Sequence, residues 1–190
     1  MTLEAFGVRY GRAVAAASAG PPGESPLNRA ACDVLEMAAA YHADGCTFFS
    51  GGDPVNALAS FAYGLGWLDA GLALGLVRCG AEPPSPDEIG AAVPAALADH
   101  LSEKTHRYER MLAEAAVSVE IAPDPASPLH RAAEECIAAA GRGLAGGRAR
   151  LRENDSPGAL ARFSYGYGWL DAGVRAGLLR VTRRRDLFTV

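Results

Sequence analysis

The chain is almost without lysine: of its 18 basic residues only Lys104 is one, and arginine supplies the rest. Aromatic residues make up 7 % of the sequence, with 2 tryptophans, so an aromatic that recurs at a fixed place carries information. No long apolar run is present. The longest, Ala70 to Val77, falls well short of the roughly 20 residues that a membrane-spanning helix needs. No charged segment followed by an apolar one opens the chain, so no secretory signal is expected. The four cysteines, Cys32, Cys46, Cys79 and Cys136, form no CxxC pair. They read as small buried thiols of a cytoplasmic protein, and neither as a disulfide framework nor as a zinc site.

Charge is moderate and uneven. The net value of −4 does not describe a general polyanion binder. Residues 1–100 carry 4 basic and 11 acidic side chains, however, whereas residues 101–190 carry 14 and 11. Such asymmetry marks either an interaction surface or a contact between the halves.

The feature that is abundant is repetition. Residues 25–78 align without a gap on residues 127–180, and 25 of those 54 positions are identical. Upstream, Arg9-Tyr10-x-Arg12 returns as Arg107-Tyr108-x-Arg110. A period this long indicates duplicated domains and not a solenoid. Apolar spacing predicts three helices in each copy, over about 2–18, 26–50 and 54–78, and again over about 96–120, 128–152 and 157–180. Ser25-Pro26 and Ser127-Pro128 are start signals for the second helix, and Asp53-Pro54 and Ser156-Pro157 for the third. Gly80 is placed to end the first copy's third helix. The expected fold is all-α: two tandem up-and-down three-helix bundles, residues 1–80 and 96–190, joined by a proline-rich linker over 81–95 and packed through their third helices. The apolar tail Leu187-Phe-Thr-Val190 is expected to fold back onto the second bundle.

The third helix carries the candidate site. Gly64, Gly66, Gly71 and Gly75 lie within the predicted helix and recur as Gly166, Gly168, Gly173 and Gly177. Each glycine costs about 1 kcal/mol relative to alanine, so close helix packing must compensate. The stripe Ala57, Phe61, Gly64, Leu68, Gly71 and Gly75 is the expected tight contact. Tyr63 and Trp67, repeated as Tyr165 and Trp169, lie on an adjacent stripe that reads as a core edge, as the interface between copies, or as a platform for a partner. Asp69 and Asp171 sit in apolar surroundings, and a buried carboxylate needs a partner. The carboxylates are therefore expected to face solvent or to be paired, and Arg175, four residues after Asp171, could pair it in the second copy. Trp67 and Asp69 point to opposite sides of one helix, so a single helix cannot gather tyrosine, tryptophan and aspartate into one pocket.

Other chemistry is weaker. His42 and Cys46 have a metal-binding spacing, but no further ligands are evident and no metal or cofactor is inferred. The spacings nominate no catalytic residue. Arg148, Arg150 and Arg152 on the second hairpin and Arg183, Arg184 and Arg185 after the last helix could bind phosphate or nucleic acid. A solvated helix face explains them as well. Three functions follow in order of preference: a non-enzymatic interaction or scaffolding module for a protein partner, a nucleic-acid or phosphate binder, and a small enzyme with a site between the copies.

Glu103-Lys-Thr-x-Arg-Tyr-Glu-Arg-Met-Leu112, Ser127-Pro-Leu-x-Arg-Ala-Ala-Glu134, Ala159-Leu-Ala-x-Phe-Ser-Tyr-Gly-x-Gly-Trp-Leu-Asp-Ala-Gly173 and Asp186-Leu-Phe-Thr-Val190 resemble DUF357, an archaeal family of small helical proteins. The first copy resembles it mainly over Gly52–Gly75. The resemblance implies a three-helix bundle in an archaeal cytosol and supplies no activity and no catalytic residues. A second likeness, to tetratricopeptide hairpins, rests on Gly45, Phe48, Ala57, Phe61 and Gly64.

Overall fold

A computed structural model describes residues 1–89 and 93–189. Six helices dominate: α1 (Leu3–Ala15), α2 (Pro26–Ser50), α3 (Pro54–Ala73), α4 (Ala98–Ala116), α5 (Pro128–Arg152) and α6 (Ser156–Arg175). The fold is mostly α and duplicated, as the repeat requires. Side-chain oxygens mark the helix starts. Ser25 accepts from the Asn28 amide and Ser127 from that of Leu129. Asp53 and Asp155 do the same for Asn56 and Gly158. Such caps contribute about 1 kcal/mol each. The cap of α6 is therefore Asp155, the counterpart of Asp53; the expected cap, Ser156, is already the first helical residue.

The third helices are shorter than their apolar pattern suggested. Gly75 and Gly177 take φ of +70° and +73° and lie beyond the helix ends. The Leu76 amide returns to the Gly71 carbonyl at 2.9 Å, and the Gly75 amide to that of Leu72 at 3.1 Å. Leu178 and Gly177 repeat the pattern on Gly173 and Val174, both at 3.0 Å. These are Schellman terminations, in which glycine is the residue that adopts left-handed φ without strain. Gly80 plays no part in them.

The chain then becomes extended. β1 (Ala17–Ala19) pairs antiparallel with β2 (Val77–Cys79), and β3 (Val119–Ile121) with β4 (Leu179–Val181). Each two-stranded clasp ties the end of a copy's first helix to the end of its third. The predicted helices over 2–18, 54–78, 96–120 and 157–180 had absorbed these strands, because three-residue strands of alternating burial mimic a helix end.

α3 and α6 form the centre, and they pack on each other as extensively as each packs on α2 or α5. Fifteen residues of α3 are buried, around its whole circumference. A helix contacted on every side needs no polar face. The glycines divide among the neighbours. Gly64 faces Tyr41 and the Ala38 carbonyl of α2, and Gly71 faces Val34 and Val77. Gly66 meets the other copy: a β-carbon there would overlap the Tyr165 carbonyl and come within 3.2 Å of the Gly168 α-carbon. Gly168 stands in the mirror situation against the Tyr63 carbonyl and Gly66. The expected tight stripe is met at Gly64 and Gly71, against α2 and Val77, but not at Gly75, which has open space around it; the contact between copies falls on Gly66 and Gly168.

Within the expected linker, Ser85 caps a single 3₁₀ turn (Pro86–Glu88) with a reciprocal capping box. The turn packs against α6, and Glu88 pairs with Arg9 at 2.6 Å. Residues 90–92 of that segment, and Val190 of the tail, lie outside the described residues. Of the tail, Leu187 and Phe188 do pack on the core.

Gly66→Ala should cost about 1–3 kcal/mol, since backbone atoms must move to admit the methyl group. Gly141→Ala, on an exposed turn of α5 with open space around it, should stabilise by up to about 1 kcal/mol. Urea unfolding of the two variants checks both signs.

Candidate functional site

The two copies of the third helix run antiparallel where they cross. Gly66 lies on Gly168, and the residues three before and three after each glycine meet across the crossing. The Tyr63 hydroxyl donates to Oδ2 of Asp171. In reciprocal fashion, the Tyr165 hydroxyl donates to Oδ2 of Asp69 at 2.9 Å. One helix cannot bring tyrosine and aspartate together, but two related helices do so twice. The signal was present in the spacing Tyr-x-x-Gly-x-x-Asp. On a helix, tyrosine and aspartate flank the glycine by about 60° on either side, which suits an antiparallel self-crossing.

These contacts define the carboxylates electrostatically. Asp171 is buried, and burial raises its pKa; the bonds from Tyr63 and Thr189 oppose that rise. Burial pushes Asp69 up to about 6 against the opposing Tyr165 bond. Tyr63 and Tyr165 are also raised, first by burial and then by the facing carboxylate. Arg175 does not serve Asp171; it reaches Asp33 at 2.9 Å. Trp67 and Trp169 are interior residues, 0 % and 5 % exposed, and the indole N–H groups find no acceptor among the described residues. Tyr63 and Asp171 are buried as well, whereas Tyr165 and Asp69 are only partly so.

The two halves of this centre differ. Beside Asp171 there is a cavity of about 210 Å³, lined by Tyr41, Tyr63, Tyr108 and Tyr167 and by Leu187, Phe188 and Thr189 of the tail. Tyr167 donates to the Leu187 carbonyl, and Thr189 donates to Asp171 at 2.7 Å. The counterparts of Tyr41, Tyr108 and Tyr167 in the repeat are Gly143, Tyr10 and Leu65, so no such tyrosine cluster surrounds Asp69.

Three of the six candidate arginines pair with carboxylates. Arg148 pairs with Glu109 at 2.7 Å. Arg150 pairs with Asp155 at 3.0 Å and Asp87 at 3.5 Å. Arg184 holds Glu114 and Asp186, and Arg183 donates to the Val117 carbonyl. Arg152 and Arg185 are exposed. His42 stands 3.0 Å from the Gly7 carbonyl with Cys46 beside it, and Cys46 and Cys32 are exposed, unlike the expected buried thiols.

A different surface emerges on the first copy. Gly7, Val8 and Gly11 of α1 and Cys46 and Phe49 of α2 border an apolar groove of about 410 Å³, with Phe61 at its floor. Val8 is 52 % exposed and Phe49 38 %. The second copy places Glu109 and Arg148 where the first has Gly11 and Cys46, and their ion pair spans the equivalent position.

The family described as a protein of unknown function, DUF357, matches residues 9–77 and, separately, residues 107–179. The chain belongs to the DUF357 family. Each match holds one Tyr-x-x-Gly-x-x-Asp element, so the reciprocal crossing joins two DUF357 units. The match to the first copy extends well upstream of Gly52, and the tail that lines part of the tyrosine cavity lies beyond the second match. Comparison with curated proteins and with solved structures gives no match.

Both central carboxylates bind protons more tightly folded than at their ordinary value. Their contribution to stability is complete below pH 3.8 and is lost as pH rises through the folded value, about 6 for Asp69. Asp69→Asn should therefore lose less stability than the parent chain between those two values. Urea titrations of both proteins across that range give the difference directly.

Proposed function

We propose that this DUF357 chain is a non-enzymatic interaction module, and that the α1–α2 groove of the first copy receives an amphipathic helix from a protein partner. The groove is the observation that carries this reading. It is apolar and edged by exposed Val8 and Phe49, and in the second copy the Glu109–Arg148 ion pair spans the equivalent position. A shallow apolar trough between two helices accepts aliphatic side chains spaced along a third. Glu4 and Arg12 on its rim offer one charge of each sign to orient the incoming helix. The likeness of the hairpins to tetratricopeptide hairpins, with Gly45 against Phe61 and Gly147 against Phe163, suits a module that displays helix faces.

The alternatives draw less support. An enzyme between the copies would use Asp69 and Asp171, and both carboxylates accept tyrosine hydroxyls. A nucleic-acid surface would use the second hairpin, where Arg148 and Arg150 are held by carboxylates. Four unpaired cysteines, two of them exposed, suit a reducing compartment, and the cytoplasm is the proposed location. The domain limits we propose are residues 1–80 and 96–190, with the capped turn at Pro86–Glu88 acting as a docked connector.

Selection of a displayed helical-peptide library against the full chain tests the groove. Enriched peptides should carry aliphatic or aromatic residues at i, i+3 and i+4 spacing. Val8→Asp and Phe49→Asp should each weaken them by about tenfold or more, and Arg148→Ala should leave them unchanged. Peptides insensitive to both groove variants would contradict the proposal.

A further inference from the structure

We infer that the cavity beside Asp171 is a binding site for a small organic cation of the alkylammonium class. The cavity holds about 210 Å³, room for a choline-sized molecule. Its walls are tyrosine rings. Tyr41 and Tyr63 stand 4.4 Å apart edge to face, and Tyr63 and Tyr167 are 5.9 Å apart. The hydroxyls of Tyr63 and Tyr167 are committed to Asp171 and to the Leu187 carbonyl, so those two residues offer a ligand their rings. Ring faces attract cations, and several rings around one point form the cage that recognises ammonium groups. Tyr108 already attracts one: the Lys104 ammonium lies 5.8 Å from its centroid on a side chain tethered to Asn56.

The carboxylate supplies the charge. Asp171 is 1 % exposed, and its Oδ2 accepts from Tyr63 and Thr189. Its other oxygen, Oδ1, has no hydrogen-bond partner among the described residues. An orphaned buried acceptor costs about 1–3 kcal/mol, and a positive charge in the cavity beside the carboxylate would offset that cost through space. No lysine, arginine or histidine lines the cavity, and the second carboxylate there, Asp186, is held by Arg184. Anionic ligands are therefore disfavoured.

Duplication provides an internal control. Asp69 and Tyr165 repeat the carboxylate and its donor, but Gly143 and Leu65 replace Tyr41 and Tyr167. The crossing is repeated beside Asp69, and the ring cluster is not. The tail residues Leu187, Phe188 and Thr189 line the cavity between the copies and narrow the approach to it, which favours a free ligand over a side chain projecting from another protein.

Calorimetric titration of the full chain with choline and with 3,3-dimethylbutan-1-ol, its neutral isostere, tests the inference. Choline should bind about tenfold or more tighter than the alcohol. Asp171→Asn should remove most of that preference, and Asp69→Asn should leave it intact. Should Asp171→Asn fail to fold, Tyr108→Leu, at the wall of the cavity, should weaken choline by about tenfold. Equal binding of cation and alcohol, no saturable choline binding, or a loss with Asp69→Asn equal to that with Asp171→Asn would overturn the site. A trimethyllysine peptide that binds more tightly than choline would overturn its assignment to a free ligand.

Discussion

The structure depends on one close approach of two backbones. Where α3 crosses α6, Gly66 and Gly168 leave no space for a side chain, and each helix rests on a carbonyl of the other. Contact at this distance draws the flanking residues together. Tyrosine three positions before one glycine then reaches aspartate three positions after the other, in both directions. Burying a carboxylate in an apolar centre is unfavourable without a donor. The crossing supplies a tyrosine donor to each aspartate from the other copy, and Thr189 of the tail adds a second one to Asp171. Duplication in one chain keeps both donors permanently at hand, and the arrangement has the reciprocity of a dimer interface between like subunits.

Around this symmetric centre the copies have diverged. α2 and α5 pack alike against the central pair, through Gly45 on Phe61 and Gly147 on Phe163. The outer faces do not match. Copy one has glycines, Cys46 and Phe49 along an open apolar groove, where copy two has an arginine–glutamate pair. Beside Asp171, Tyr41 and Tyr63 of copy one and Tyr108 and Tyr167 of copy two line a cavity together with the tail, whereas beside Asp69 the positions equivalent to Tyr41 and Tyr167 hold Gly143 and Leu65. The residues of the crossing are the same in both copies, and those facing the groove and the cavity differ between equivalent positions. The two sides of the shared scaffold thus carry different features.

Much of this was legible in the residues themselves. The repeat, the second helices to within a residue and the caps Ser25, Ser127 and Asp53 follow from local signals that owe little to tertiary context, while the cap of α6 fell one residue earlier than expected, on Asp155. The clasps were not legible: Val77-Arg78-Cys79 continues an apolar helical pattern, and only the left-handed glycine before it separates the two. The role of Gly66 was missed for a related reason. Sorting one helix into stripes places it beside Asp69 but says nothing about which neighbour each stripe meets, and a helix buried on all sides has several. Asp171 looked like a partner for Arg175 because i, i+4 pairing is local. A donor on the other copy, Tyr63, and a threonine 18 residues further on could be found only in three dimensions.

The central claim is that the copies are coupled through the two tyrosine–aspartate bonds. A double-mutant cycle on Tyr63→Phe and Asp171→Asn, with a parallel cycle on Tyr165→Phe and Asp69→Asn, measures that coupling by equilibrium unfolding. The account requires a favourable interaction of about 1 kcal/mol or more in each cycle. Additive effects in both cycles would mean that these residues are merely buried near one another, and would contradict it.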